Sequence, residues 1–142
     1  MNDFFDWDDY ERTGFHFLNK AKEYQDDPYQ LHFVYNGFIK LFFKHRNRVP
    51  DAEDKLITIC KLDIELFPKF REAWFEKNPD YISLPRIPSF QRLIQVYEKR
   101  NQINEAIQIC KLAIQYGLDD GTKGGFEARL EKLRKKQIKV SW

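Results

Sequence analysis

Serine, histidine and cysteine are scarce in this 142-residue chain, and their scarcity narrows its chemistry. The three serines (Ser83, Ser89, Ser141) lie outside any nucleophile elbow. His16, His32 and His45 are scattered, with no HExxH and no second ligand at i+3 or i+4, so no zinc centre and no other cofactor is expected. They read as surface or half-buried histidines. The acidic pairs Asp8/Asp9, Asp26/Asp27 and Asp119/Asp120 fall near expected helix ends, where carboxylates cap amides and complement the helix dipole. Enzymatic activity is therefore not expected. Long apolar runs are also missing and mean hydropathy is −0.68, which excludes a membrane-spanning helix. The first residues, Met1-Asn2-Asp3-Phe4-Phe5-Asp6, are acidic where a secretory leader is basic, so a cytoplasmic, reducing location is expected. Cys60 and Cys110 each sit inside an apolar helical pattern and read as buried thiols rather than as a disulfide.

What the chain does have is aromatic and periodic. Aromatic residues reach 16%, and charged residues 32%. Proline and glycine mostly fall between periodic segments, which predicts six main helices at about 5–25, 29–47, 51–67, 89–101, 104–116 and 123–137. Phe90, Leu93, Ile94 and Tyr97 form one apolar stripe at i, i+3, i+4 and i+7. In the following helix, Ala106, Ile107, Cys110, Ala113 and Ile114 make one stripe, and Ile109, Leu112 and Tyr116 a second. Such a helix must be covered on two sides. Phe126, Leu130 and Leu133 make a narrower stripe, suited to a terminal helix covered on one side. Trp7, Tyr10, Gly14, Leu18 and Ala21 are expected on one side of the first helix, with the acidic–aromatic N-terminus (Phe4, Phe5, Trp7, Tyr10) favoured as core over a docking face. Residues 69–88 read as a short helix and an extended connection. The expected fold is a single all-α domain, residues 1–142.

The chain repeats itself. Ile57-Thr58-Ile59-Cys60-Lys61-Leu62-Asp63-Ile64 recurs 50 residues later as Ile107-Gln108-Ile109-Cys110-Lys111-Leu112-Ala113-Ile114, with six of eight positions identical. Such duplicated helical units bury their faces by stacking. Residues 87–120 resemble the tetratricopeptide repeat family. Phe90, Leu93 and Tyr97 take its first-helix places, and Ala106, Cys110 and Ala113 its second-helix places. Leu118 stands where proline is usual, and Ile94 where a small residue is. Residues 29–68 resemble a degenerate copy, with Phe43, Leu56, Cys60 and Asp63 in the slots, Asp63 replacing a small residue and Pro68 closing the unit. The resemblance implies antiparallel helix pairs stacked as a short right-handed superhelix, with residues 123–137 as a capping helix.

It also implies a function: binding of a protein or peptide partner on a concave face lined by the first helix of each pair. Carried onto this chain, that face is Val34, Phe38, Leu41 and Lys44 in the first unit and Gln91, Arg92, Gln95 and Glu98 in the second. These positions are expected to be free of core duty, whereas Leu93 and Tyr97 point inward. Only Arg92 fits the family's variant that clamps a terminal carboxylate. A groove apolar at one end and amide-rich at the other suits an amphipathic segment.

Charge offers a second reading. Residues 1–30 carry eight acids against three bases, a net of −5, and residues 121–142 carry seven bases against two acids, a net of +5. A basic patch of Arg129, Lys132 and Lys136 would serve a nucleic-acid-associated regulator, although the small total charge of +2 and the lack of a recognition motif argue against nucleic acid as the partner. Self-assembly into a homo-oligomer is a third reading, since so few repeats leave apolar end faces. Gly121-Thr122-Lys123-Gly124-Gly125 superficially suggests a phosphate loop, but lacks its spacing and reads as a tight turn before the last helix.

Overall fold

Helix starts follow the aspartates and prolines. Asp6 accepts a hydrogen bond from the Asp9 amide at 3.1 Å and opens α1 (Trp7–Glu23). Asp27 does the same for the Gln30 amide at 3.2 Å, with Pro28 at the first position of α2 (Pro28–Lys44). Next come α3 (Ala52–Lys77), α4 (Pro88–Lys99), α5 (Ile103–Gln115) and α6 (Gly125–Val140). Gly117, at φ +71°, ends α5: its own N–H and that of Leu118 reach back to the carbonyls of Ile114 and Ala113. That double bond requires a left-handed residue, and glycine adopts it without strain.

The computed structural model describes residues 5–140, of which Val140 only by its backbone, and every regular element among them is an α-helix. The chain divides into two compact units, Met1–Ile82 and Ser83–Trp142. In the first, α2 packs against both α1 and α3; in the second, α5 packs against both α4 and α6. Of the two stripes expected on α5, Ala106, Ile107, Cys110 and Ala113 are buried, while Ile114 and the second stripe, Ile109, Leu112 and Tyr116, are half-buried. The narrow stripe of α6 is met, with Phe126 and Leu133 buried and Leu130 half-buried.

The duplicated segments bury equivalent positions. Leu56, Cys60 and Asp63 on α3, and Ala106, Cys110 and Ala113 on α5, are all fully sealed from solvent. Both cysteines are free thiols. On α4, Phe90, Leu93, Ile94 and Tyr97 form the matching buried stripe.

Two expectations are corrected. Pro68 does not close a repeat: α3 runs through it to Lys77, and only the stretch after it is non-helical. An interior proline costs a helix about 3 kcal/mol. Continuing the helix buries Phe70 and Trp74, whose rings meet Tyr29 on α2, with His32 and Phe33 also against Phe70. Each large apolar side chain is worth about 1.5–3 kcal/mol on burial, so the two together outweigh the proline.

The second correction concerns α1. Its inner face carries Tyr10, Gly14, Phe17 and Ala21, while Trp7 and Leu18 are half-exposed. Gly37 explains the rotation: a Cβ there would lie 2.4 Å from the Phe17 ring, so the helices close over a ring held against glycine. Tyr10 is buried as expected, Phe5 is half-buried beside it at 5.8 Å, and Phe4 lies outside the described residues.

Candidate functional site

Because α2 packs on both its neighbours, α1 and α3 stand as walls on either side of it. Between them the first unit holds an apolar groove of about 440 Å³. Phe38, Leu41 and Phe42 of α2 form its floor. One wall is Tyr10, Gly14, Phe15 and Leu18 of α1; the other is Thr58 and Ile59 of α3. Glu11 and Lys55, one from each wall, supply the charge at its rim. Phe15 is 66% exposed and Leu18 43%, so the wall presents apolar surface to solvent rather than to its own core. Isolated exposed apolar residues are ordinary; here Phe15 and Leu18 are exposed together on the lip of one apolar cleft.

Of the expected first-unit residues, Phe38 and Leu41 meet in this groove. They are not free of core duty: both are largely buried, and Phe38 lies against Phe42 at 5.5 Å and Phe17 at 5.6 Å. Val34 is buried too. For Phe38 and Leu41 the reason is α1, whose Phe17 and Gly14 lie against them. Lys44 is exposed and lines a separate polar cleft of about 360 Å³ with Asp6, Asp9, His45 and Arg48. Burial, then the neighbouring Lys44 and Arg48, hold the His45 imidazole below its ordinary pKa.

On α4, Gln91, Arg92, Gln95 and Glu98 are half-buried. Arg92 donates to the Gln95 side-chain oxygen at 3.0 Å, and Arg86 lies 3.5 Å from that of Gln91. Glu98 is held by Lys136 of α6, so it joins two helices of the second unit.

Two cations of the expected basic patch are already paired. Arg129 grips Asp120 through Nε and an Nη nitrogen, both at 3.0 Å, and Lys136 is paired with Glu98. Of the three, only Lys132 is an exposed cation outside these bridges. The glycine-rich turn shows why it is no phosphate cradle. Thr122 donates its amide (2.9 Å) and its hydroxyl (2.5 Å) to the Asp120 carboxylate, so the chain's own carboxylate already uses the turn's donors. Burial pushes the Asp120 carboxyl up, but the hydrogen bonds from Thr122 and Arg129 outweigh it and hold the pKa below the ordinary carboxylate value.

A folded-state pKa below the unfolded one gives stability that is complete above the ordinary carboxylate range and is lost as pH falls through the depressed value. Asp120→Asn is therefore expected to cost about 1.5–3 kcal/mol at neutral pH, the worth of charged hydrogen bonds. The loss should shrink in acid, as urea titrations of the two proteins across pH will show.

The arrangement that the sequence concealed lies under α2. His32 and Asp63 are both fully buried, and His32 Nδ1 donates to the Asp63 carboxylate at 2.7 Å. His32 Nε2 then accepts from the Asn36 side-chain amide at 3.3 Å. His32 is thus neither a surface nor a half-buried histidine. A histidine oriented by an aspartate is the arrangement of a general base. Here Nε2 faces an amide, and the Phe70 ring covers the imidazole at 3.9 Å between centroids. No substrate reaches it, so the pair joins α2 to α3. Among the described residues no three His, Cys, Asp or Glu side chains converge as a metal-binding group, and no helix is long and apolar enough to cross a membrane.

Comparison with known proteins adds one relative. An uncharacterized protein of Aquifex aeolicus (strain VF5) is 28% identical over 120 residues, which covers 82% of this chain. The chain spans about half, 54%, of that protein's length. No protein-family model matches the sequence, and no solved structure matches the fold.

Proposed function

We propose that this chain is a non-catalytic protein-interaction module built from tetratricopeptide-like helix pairs, and that it docks an amphipathic helix in the groove of its first unit. The observation that carries this reading is the groove itself, with an apolar floor, Phe15 and Leu18 protruding at its lip, and Glu11 and Lys55 at its rim. An amphipathic helix laid in such a cleft buries its apolar stripe and turns its polar face to water. The duplicated α3 and α5 segments and the buried stripe of α4 support the family resemblance. The half-buried polar side chains of Gln91, Arg92 and Gln95 are the second unit's expected contribution.

Helical peptides selected by display against the full chain test the reading. The selected sequences are expected to carry apolar residues at i, i+3 or i+4, and i+7. They should lose binding to Phe15→Asp, keep it with Lys132→Glu, and respond little to salt. Acidic selected sequences whose binding falls steeply with salt and is lost in Lys132→Glu would overturn the groove in favour of the basic helix. A nucleic-acid function predicts instead that a DNA or RNA oligonucleotide binds at low salt and is released as salt rises.

A further inference from the structure

We infer that the helix seated at this groove is α1 of a second copy of this chain, lying antiparallel to its twin across a two-fold axis. The inference rests on the groove being a docking surface, and adds what fills it. Knob and hole lie side by side on α1. Phe15 protrudes with two-thirds of its surface in solvent, while its neighbour Gly14 contributes no side chain, and a Cβ there would come no nearer than 3.8 Å to Leu41. A two-fold axis near these residues places each Phe15 over the other copy's Gly14 and groove floor. A surface that carries both the projection and its receptacle is self-complementary, which a two-fold interface requires.

Charge along α1 favours the same antiparallel pairing. Trp7, Glu11, Phe15, Leu18 and Lys22 follow one another at spacings of four, four, three and four, a single stripe along α1. Trp7 is half-exposed, and Asp8 and Lys22 are exposed. The helix is acidic in its first turn (Asp8, Asp9) and basic in its last (Lys20, Lys22). Asp8 and Lys22 stand seven residues on either side of Phe15. An antiparallel twin therefore brings Lys22 of each copy to Asp8 and the Trp7 ring of the other, joining opposite charges twice. A parallel arrangement would set acid on acid and base on base.

Sedimentation velocity of the full chain across micromolar concentrations tests this. The expected result is a reversible dimer that Phe15→Asp converts to a folded monomer, its helicity confirmed by circular dichroism. Asp8→Lys alone and Lys22→Asp alone should each weaken the dimer by about tenfold or more, since each creates two like-charge contacts. The double swap Asp8→Lys/Lys22→Asp should restore it. A chain that stays monomeric, a dimer indifferent to Phe15→Asp, or a double swap as weak as the single ones each overturns the proposal. If the chain is monomeric and its groove still takes the selected amphipathic peptides, the second copy is ruled out and the docking groove stands. If it is monomeric and takes none, both are overturned.

Discussion

Replacing His32 by leucine is expected to destabilise the chain by about 3–5 kcal/mol, the cost of leaving the buried Asp63 carboxylate without its hydrogen-bond donor. Asp63→Leu should cost a similar amount. Both side chains are fully buried and 2.7 Å apart, and the second carboxylate oxygen of Asp63 is buried without a partner. Asp63 therefore depends on the imidazole for its hydrogen bonding. Removing both groups removes the demand as well as the supply, so His32→Leu/Asp63→Leu should recover most of the loss. Urea unfolding of the four proteins closes the cycle. Single variants within about 1 kcal/mol of the parent would mean that the pair does not hold α2 to α3.

Cys110→Asp should be nearly as costly, and for a related reason. The thiol is fully buried, donates to the Phe126 carbonyl at 3.1 Å, and is pushed up to about 11 by burial. A carboxylate there would face a carbonyl oxygen and lack a donor, at a cost of several kcal/mol, on the order of about 3–5. Cys110→Ala removes only a small apolar group and should cost about 1–2 kcal/mol. The native protein should also resist thiol alkylation near pH 8, because a thiol titrating near 11 offers little thiolate there. Rapid labelling of Cys110 without unfolding would contradict this account of the second unit's core.

What the sequence disclosed was what local chemistry decides. Helix number, the Asp27 cap, the Gly117 stop and the buried stripe of α4 depend on spacing within one segment, and the equivalence of Cys60 and Cys110 on a repeat legible in the sequence. What it concealed depends on neighbours distant in the chain. Pro68 reads as a stop until Tyr29, His32 and Phe33 supply the aromatic contacts that hold Phe70 and Trp74 in the same helix. The rotation of α1 is set by Gly37, which no pattern within α1 reports. Its consequence reaches the candidate site: with Phe17 turned inward, Phe15 and Leu18 are left at the lip of the groove. Val34, Phe38 and Leu41 sit on the expected helix yet are buried, Phe38 against Phe17 and Leu41 beside Gly14 of α1, so they serve as floor or core rather than as open surface. Arg129 and Lys136 read as a solvated basic face until Asp120 and Glu98 are found holding them. An aspartate in a stripe position and a histidine on an apolar helix face were the two visible traces of the His32–Asp63 pair. Each is unremarkable alone, and only the pairing of α2 with α3 makes them one feature.

Hydrogen exchange of the full chain at concentrations above and below that of assembly tests self-docking at the groove most directly. The account predicts that dilution raises exchange in the segments that build the groove, within 7–23, 34–42 and 55–59, and leaves α6 unchanged. Concentration-dependent protection confined to α6, with the groove segments exchanging alike at every concentration, would contradict it.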